Sequence, residues 1–464
     1  MKRKIVAGLV VVGIVITFFS IRMPWINMVI PDENLENAIR AQIGKSHGPL
    51  HESDLEKITL LSATNSDIKT IEGLEYCKNL KTLLLYGNNI SDVTPLSNLA
   101  NLTSLWLNDN NISDVTPLSH LTNLGELSLY GNNISDVTPL SHLTALWSVS
   151  LDDNNISDVI PLSHLTALWS VSLDDNNISD VIPLSHLTGL TFLTLDDNNI
   201  SDVTPLSNLT NLEMLFLKNN SISDVTPLSN LTNLEMLFLK NNSISDISPL
   251  SNLTSLEMLS LDDNNISDIS PLSHLTSLEM LSLSSNNISD VIPLSNLTNL
   301  EMLILHENNI SDVTSLEPLI NLQVLWLAHN SITDITSLRE LPNIGGPSKK
   351  LTRNEYTHLN LSQNQISDIS PLIENPGITK GDCIDISDNP LTTESLETYI
   401  PELESRGVDI TWGVVPEPPP TATPSSTLLV TLSNYFMYLG FLVIILGLLF
   451  TLYQTVKKKR EKPS

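Results

Sequence analysis

Basic residues are scarce in this chain: 23 Lys and Arg stand against 52 Asp and Glu over 464 residues, a formal net charge of -29. That shortage excludes a nucleic-acid backbone binder, which needs Lys and Arg to displace counterions from phosphates. Cysteine is scarcer still. Cys77 and Cys383 are the only two, too few for a disulfide-dense scaffold, and no Cys/His cluster has zinc-finger spacing. A Ser-His-Asp order, a nucleophile elbow, a phosphate loop and a metalloprotease helix are all missing, so no catalysis is expected.

The basic residues that do occur gather at the ends. Lys2, Arg3 and Lys4 open the chain and Lys457, Lys458, Lys459, Arg460 and Lys462 close it. Each cluster adjoins an apolar run. Ile5 to Ile21 is uncharged, so residues 1–30 read as a signal sequence or N-terminal membrane anchor. Tyr435 to Tyr453 is also uncharged and carries aromatic residues at its margins, which predicts a transmembrane helix over 428–456 and a basic cytoplasmic tail over 457–464. The positive-inside rule then places the acidic bulk outside the cell membrane. Residues 414–427, rich in Pro, Ser and Thr, read as an extended stalk.

Self-similarity dominates everything between those ends. Ile90, Ile112, Ile134, Ile156, Ile178, Ile200, Ile222, Ile244, Ile266, Ile288, Ile310 and Ile332 recur every 22 residues, with outlying units at Ile68, Ile366 and Leu391. About 15 units fill 58–392. Leu99, Leu102, Leu105, Leu107, Asn110, Ile112, Val115 and Leu118 give one unit as L-x-x-L-x-x-L-x-L-x-x-N-x-I-x-x-V-x-x-L, a leucine-rich repeat. Leu105 and Leu107 alternate, so they point inward from a short strand while Trp106 points outward. Stacked coils pair these strands at about 4.8 Å, giving a parallel sheet about 70 Å long. Asn110 stands where the chain leaves the strand and can bond backbone groups of two coils. In Ser113-Asp114-Val115-Thr116-Pro117-Leu118, Asp caps and Pro enters a short 3₁₀ turn at the back. Residues 31–57 predict a helical N-terminal cap, with Asp32 as N-cap and Gly44 as stop. Residues 393–413 predict a C-terminal cap whose Leu396, Tyr399, Ile400 and Leu403 cover the last coil.

The 22-residue unit resembles the internalin-type subclass of leucine-rich repeat proteins, and IPDENLENAIRAQIGK is similar to the helical cap of such ectodomains. The resemblance implies an α/β fold: a curved right-handed solenoid with a parallel β-sheet on its concave face and 3₁₀ turns on its convex face. It also implies a noncatalytic bacterial surface protein that grips protein ligands on the inner curve. No sortase signal precedes the second apolar run and no immunoglobulin-like domain follows the repeats, so host-cell invasion is not carried over.

The outward strand positions form columns, and these are the candidate ligand surface. Phe192, Met214 and Met236 stand in the first column, and Trp106, Phe216, Phe238 and Trp326 in the second. Contiguous apolar side chains on a rigid sheet suggest contact with a protein or a cell-surface polymer, centred on Phe192, Met214, Phe216, Met236 and Phe238. A third column holds Asp152, Asp174 and Asp196, where Ca²⁺ can offset stacked carboxylates; a hydrated acidic face is the alternative. A fourth holds His120, His142, His164, His186 and His274, but Asn fills the same slot elsewhere, so a polar back-turn position fits better than a metal. No other cofactor is expected. Residues 141–162 and 163–184 are identical copies, which keeps open a structural spacer. An intracellular scaffold resembling phosphatase-regulatory relatives requires both apolar runs to be misread.

Overall fold

The computed structural model describes residues 28–344 and 357–413. The apolar run Ile5 to Ile21, the stalk, the 428–456 span and the basic tail lie outside the described residues. Among the described residues no helix is long and apolar enough to cross a membrane.

Among the described residues sixteen short strands, from Leu60–Ser62 to Asp409–Thr411, form one sheet in chain order. Every neighbouring pair is parallel, and the register advances one repeat per strand, so Leu83 pairs with Leu105 and Leu105 with Leu127. A fixed step of 22 keeps each inward Leu above the last, and Leu83, Leu105, Leu215, Leu237 and their neighbours are fully buried. The back of each coil is a 3₁₀ turn such as Thr116–Leu118. Its entry is fixed by Asp114, whose Oδ1 accepts the Thr116 N–H at 2.8 Å, and by Pro117 in the first turn. The Thr116 hydroxyl first and this N–H second hold the exposed Asp114 carboxyl below its usual range, as the Thr hydroxyl and N–H two residues on do for Asp136, Asp202 and Asp224.

The buried asparagines join coil to coil. Asn110 Nδ2 donates to the Leu107 and Asn108 carbonyls of its own coil and to Leu85 O of the coil before, at 3.0, 3.1 and 3.1 Å. Its Oδ1 accepts the Ile90 N–H at 2.9 Å. A second ladder, absent from the sequence reading, runs along the exposed margin: Asn101, Asn123, Asn211 and Asn233 each donate to a carbonyl one coil back, at 2.7–2.9 Å. Before each buried Asn the backbone turns left-handed, with φ near 50° at Asp109, Asp153, Asp175, Asp197, Asn219, Asn241 and Asp263. Asp, Asn and Gly tolerate that conformation best, which explains the second Asp of each Asp-Asp pair without a ligand.

Both ends of the stack are covered. Helix Glu33–Ile43 starts at Asp32, which accepts the Asn34 and Leu35 N–H groups, and stops at left-handed Gly44. Leu35 and Ile39 are buried, and the second Asp32 oxygen accepts the Lys69 N–H at 2.8 Å, tying the helix to the first coil. At the far end Ile400 and Leu403 are buried, but Leu396 is exposed. The chain winds as a wider π turn over Ser395–Tyr399, which rotates Leu396 out and buries Ser395 instead. The closing strand Asp409–Thr411 pairs with Cys383–Asp385 and adds a rung beyond the 15 repeats. Cys77 is free and buried, and burial pushes its thiol up to about 12, out of reactive range.

Candidate functional site

Outward side chains on a parallel sheet stand one strand spacing apart, so aromatic neighbours within a column or on the diagonal between two columns meet face to face or edge to face. Phe192 and Phe216 meet edge-on, 5.9 Å between centroids at 78°, and Phe216 stacks on Phe238 at 4.6 Å and 14°. Met214 and Met236 pair directly across adjacent strands. Phe192, Met214, Phe216 and Met236 are half-buried, so the structure brings four of the sequence-selected residues together in one partly open patch.

Three others are placed differently. Phe238 is only 6% exposed, because its ring lies flat against Phe216. Trp326 is 7% exposed; its Nε1 donates to the Thr357 carbonyl at 2.7 Å and the His306 ring lies 6.2 Å away. Both belong to the packing beneath the face rather than to its accessible surface. Trp106 is half-buried but stands five strands from Phe216, about 24 Å along the stack, with Ser128, Ser150, Ser172 and Thr194 between them in the column.

Two tryptophans that column reading passed over extend the surface instead. Trp147 and Trp169 precede their strands and stack at 5.7 Å with planes 2° apart. Gly125 makes room for the pair, since a Cβ there would come within 2.4 Å of Trp147 Nε1. The signal was available in the sequence: Gly125, Trp147 and Trp169 share one register, one residue before the first outward column. A diagonal apolar strip therefore runs from Trp147 and Trp169 at the strand starts through Phe192 and Met214 to Phe216.

The acidic column is bound into the backbone. Asp152 Oδ1 accepts the Asp174 N–H at 2.9 Å, Asp174 Oδ1 the Asp196 N–H at 2.7 Å, and Asp196 Oδ1 the Lys218 N–H at 2.6 Å. Asp152 also accepts the Ser150 and Ser172 hydroxyls. Each carboxylate is thus spent along the stack on the next coil. Among the described residues no group of three or more His, Cys, Asp or Glu is placed to hold a metal ion. Burial pushes all three carboxyls up: Asp174 well above the usual range with Asp152 and Asp196 on either side, and Asp196 to about 7. Burial works against the Lys218 charge, but Asp196 and Asp197 outweigh it and raise its pKa. His120, His142, His164, His186 and His274 are all exposed at the back turns.

The leucine-rich repeat model for two tandem copies matches residues 100–142, 188–230, 210–252, 232–274 and 276–319. Internalin H of Listeria monocytogenes is 42% identical over 82 residues, a match spanning 17% of this chain and only 15% of internalin H. The crystal structure of another Listeria monocytogenes internalin, InlF, is similar with a TM-score of 0.66 and 40% identity, covering 68% of this chain and 94% of that one. A leucine-rich repeat protein of Leptospira interrogans shares the fold at 22% identity, with a TM-score of 0.65 over 78% of this chain and 97% of that one. With the repeat, the Asn ladder and the parallel sheet in place, the chain belongs to the internalin-like leucine-rich repeat family.

Proposed function

We propose that this chain is a noncatalytic binding protein that presents the diagonal strip to a protein ligand at the cell surface, as an adhesin or receptor-like module. The observation that carries the reading is the strip itself: Trp147, Trp169, Phe192, Met214 and Phe216 remain partly open to solvent and adjoin one another across four neighbouring strands. Large, rigid aromatic side chains of this kind anchor protein interfaces. Kinship with internalins supports a surface role. The uncharged runs beside Lys2–Lys4 and Lys457–Arg460 support membrane anchoring with the repeats outside.

Cells displaying the wild-type chain and the Phe192→Ser/Phe216→Ser chain are to be compared for adhesion to immobilised surface proteins, with melting of both chains checked. Weaker adhesion by the variant is expected; equal adhesion removes the strip from consideration. External protease on intact cells should remove the repeat body and spare the tail, whereas survival of the body until lysis overturns the topology. The identical copies 141–162 and 163–184 favour one second reading, a spacer whose length matters more than its contacts. Deleting one copy leaves a spacer active but breaks a binding surface centred on the Trp147–Trp169 stack.

A further inference from the structure

Acidic residues stand at both strand ends of the sheet face where the strip stops and the methionine column runs on. At the strand starts, in the column that holds Trp147 and Trp169, stand Glu213, Glu235, Glu257, Glu279 and Glu301. They are stacked one per coil: the N–H of each of the last four donates to the carbonyl of the glutamate before it at 2.8 Å. Five carboxylates therefore rise along about 19 Å of one edge, each next in sequence to an outward Met. At the other edge lie Asp175, Asp197 and Asp263, each at least partly exposed. Lys218 and Lys240 are the only Lys or Arg between positions 82 and 338. Both are engaged at that second edge, with Asp197 at 3.2 Å and Asp263 at 3.3 Å.

Building on the proposed binding role, we infer that the strip docks a cationic amphipathic protein segment, apolar along its centre and carrying Lys or Arg on its flanks. Charge complementarity selects this occupant. Glu213 and Glu235 stand one strand spacing apart and repel, and a partner bringing cations to them relieves that repulsion, while an acidic protein, a nucleic acid or an anionic lipid surface adds to it. The methionine column suits the centre of such a segment, because the unbranched thioether side chain repacks around apolar groups of different shape.

The test uses the full chain and a short labelled helical peptide of Leu and Lys with one apolar stripe, read by fluorescence anisotropy. Companion peptides replace every Lys by Gln or by Glu. The Leu/Lys peptide should bind, lose affinity as salt rises, and lose about tenfold or more to Glu213→Gln/Glu235→Gln/Glu301→Gln. A control, Glu317→Gln/Glu397→Gln/Glu404→Gln, removes the same charge away from the sheet face and should change affinity less than about twofold. Phe192→Ser/Phe216→Ser should weaken binding with the glutamates intact. Carbodiimide coupling of the peptide's lysines to the wild-type chain should map to the Glu213–Glu301 row, a readout independent of how the variants fold. Equal loss from both glutamate triples, or coupling spread over the whole body, shows bulk charge alone and overturns the inference. If the Leu/Gln peptide binds as well and only the Phe pair matters, the cationic partner falls while the binding role stands. If no peptide responds to Phe192 and Phe216, both fall.

Discussion

Replacing Asn176 by Ala tests how the ladder holds the coils together. Asn176 makes four bonds: its Oδ1 accepts the Ile156 N–H at 2.9 Å, and its Nδ2 donates to Leu151 O at 3.0 Å, Leu173 O at 3.2 Å and Asp174 O at 2.9 Å. The three carbonyls each keep another donor, Asn154 for Leu151, Asn198 for Leu173 and the Asp153 N–H for Asp174. Only the Ile156 N–H is orphaned. One buried unsatisfied donor costs about 1–3 kcal/mol, so with the small void the expected loss is about 2–3 kcal/mol. Asn154→Ala with Asn176→Ala is different, because these two side chains are the donors to Leu151 O and the pair strips it of both. The double variant should exceed the sum of the singles by about 1–2 kcal/mol. Asn176→Ala with Asn264→Ala, which share no carbonyl, should be additive. Urea unfolding followed by far-UV circular dichroism measures all of these, and hydrogen exchange at Ile156 reports the orphan directly. Additivity in the adjacent pair refutes the shared-carbonyl argument.

Filling the space beneath Trp147 with Gly125→Leu should unstack Trp147 from Trp169, read as lost near-ultraviolet dichroism between the two indoles; an unchanged spectrum removes the packing argument. The acidic column should make stability fall as pH rises. Asp196 titrates near 7 in the folded chain against about 3.9 when unfolded, so its proton stabilises the fold below about pH 4, and that contribution is lost as pH rises through 7. The capping Asp114, Asp136 and Asp202 act oppositely: their folded values are lowered, so their contribution is present above about 3.9 and lost as pH falls further. Thermal melts from acidic to neutral pH should therefore peak on the acidic side, and Asp174→Asn/Asp196→Asn should flatten the decline toward pH 8; an unchanged slope rejects the column as its source. Ile160 is 62% exposed where other units place Thr. Ile160→Thr should be neutral or stabilising by up to about 0.5 kcal/mol, since its hydroxyl can bond Asp158 as Thr336 bonds Asp334 at 2.6 Å. A clear loss of stability in the melt contradicts this.

The repeat was legible because one period fixes three things together: which residues face inward, where the ladder Asn falls and where Asp and Pro enter the back turn. The site was only partly legible. Period-two alternation tells that Phe238 and Trp326 point outward, but says nothing of what lies over them. A column neighbour and a chain segment 31 residues on bury them instead. Trp147 and Trp169 escaped because they precede the strand, where alternation gives no assignment. The carboxylates of Asp152, Asp174 and Asp196 looked free to take a cation because their acceptors' partners are backbone N–H groups one coil away, which no residue type reveals. The π turn that exposes Leu396 was hidden for a like reason: a helical wheel assumes a constant step.

Two consecutive units of the same 22 letters meet through the same inward leucines and amide ladder that join every other pair of coils. Gaining or losing such a unit creates no new kind of contact, because every coil meets its neighbours through the same leucines and the same amide rungs. The body therefore behaves as a graduated rule with marks about 4.8 Å apart. Unequal crossing-over within the gene can move the Phe192–Phe216 contact nearer to or farther from the N-terminal helix one mark at a time, altering reach and, with it, the number of indoles stacked beside that contact.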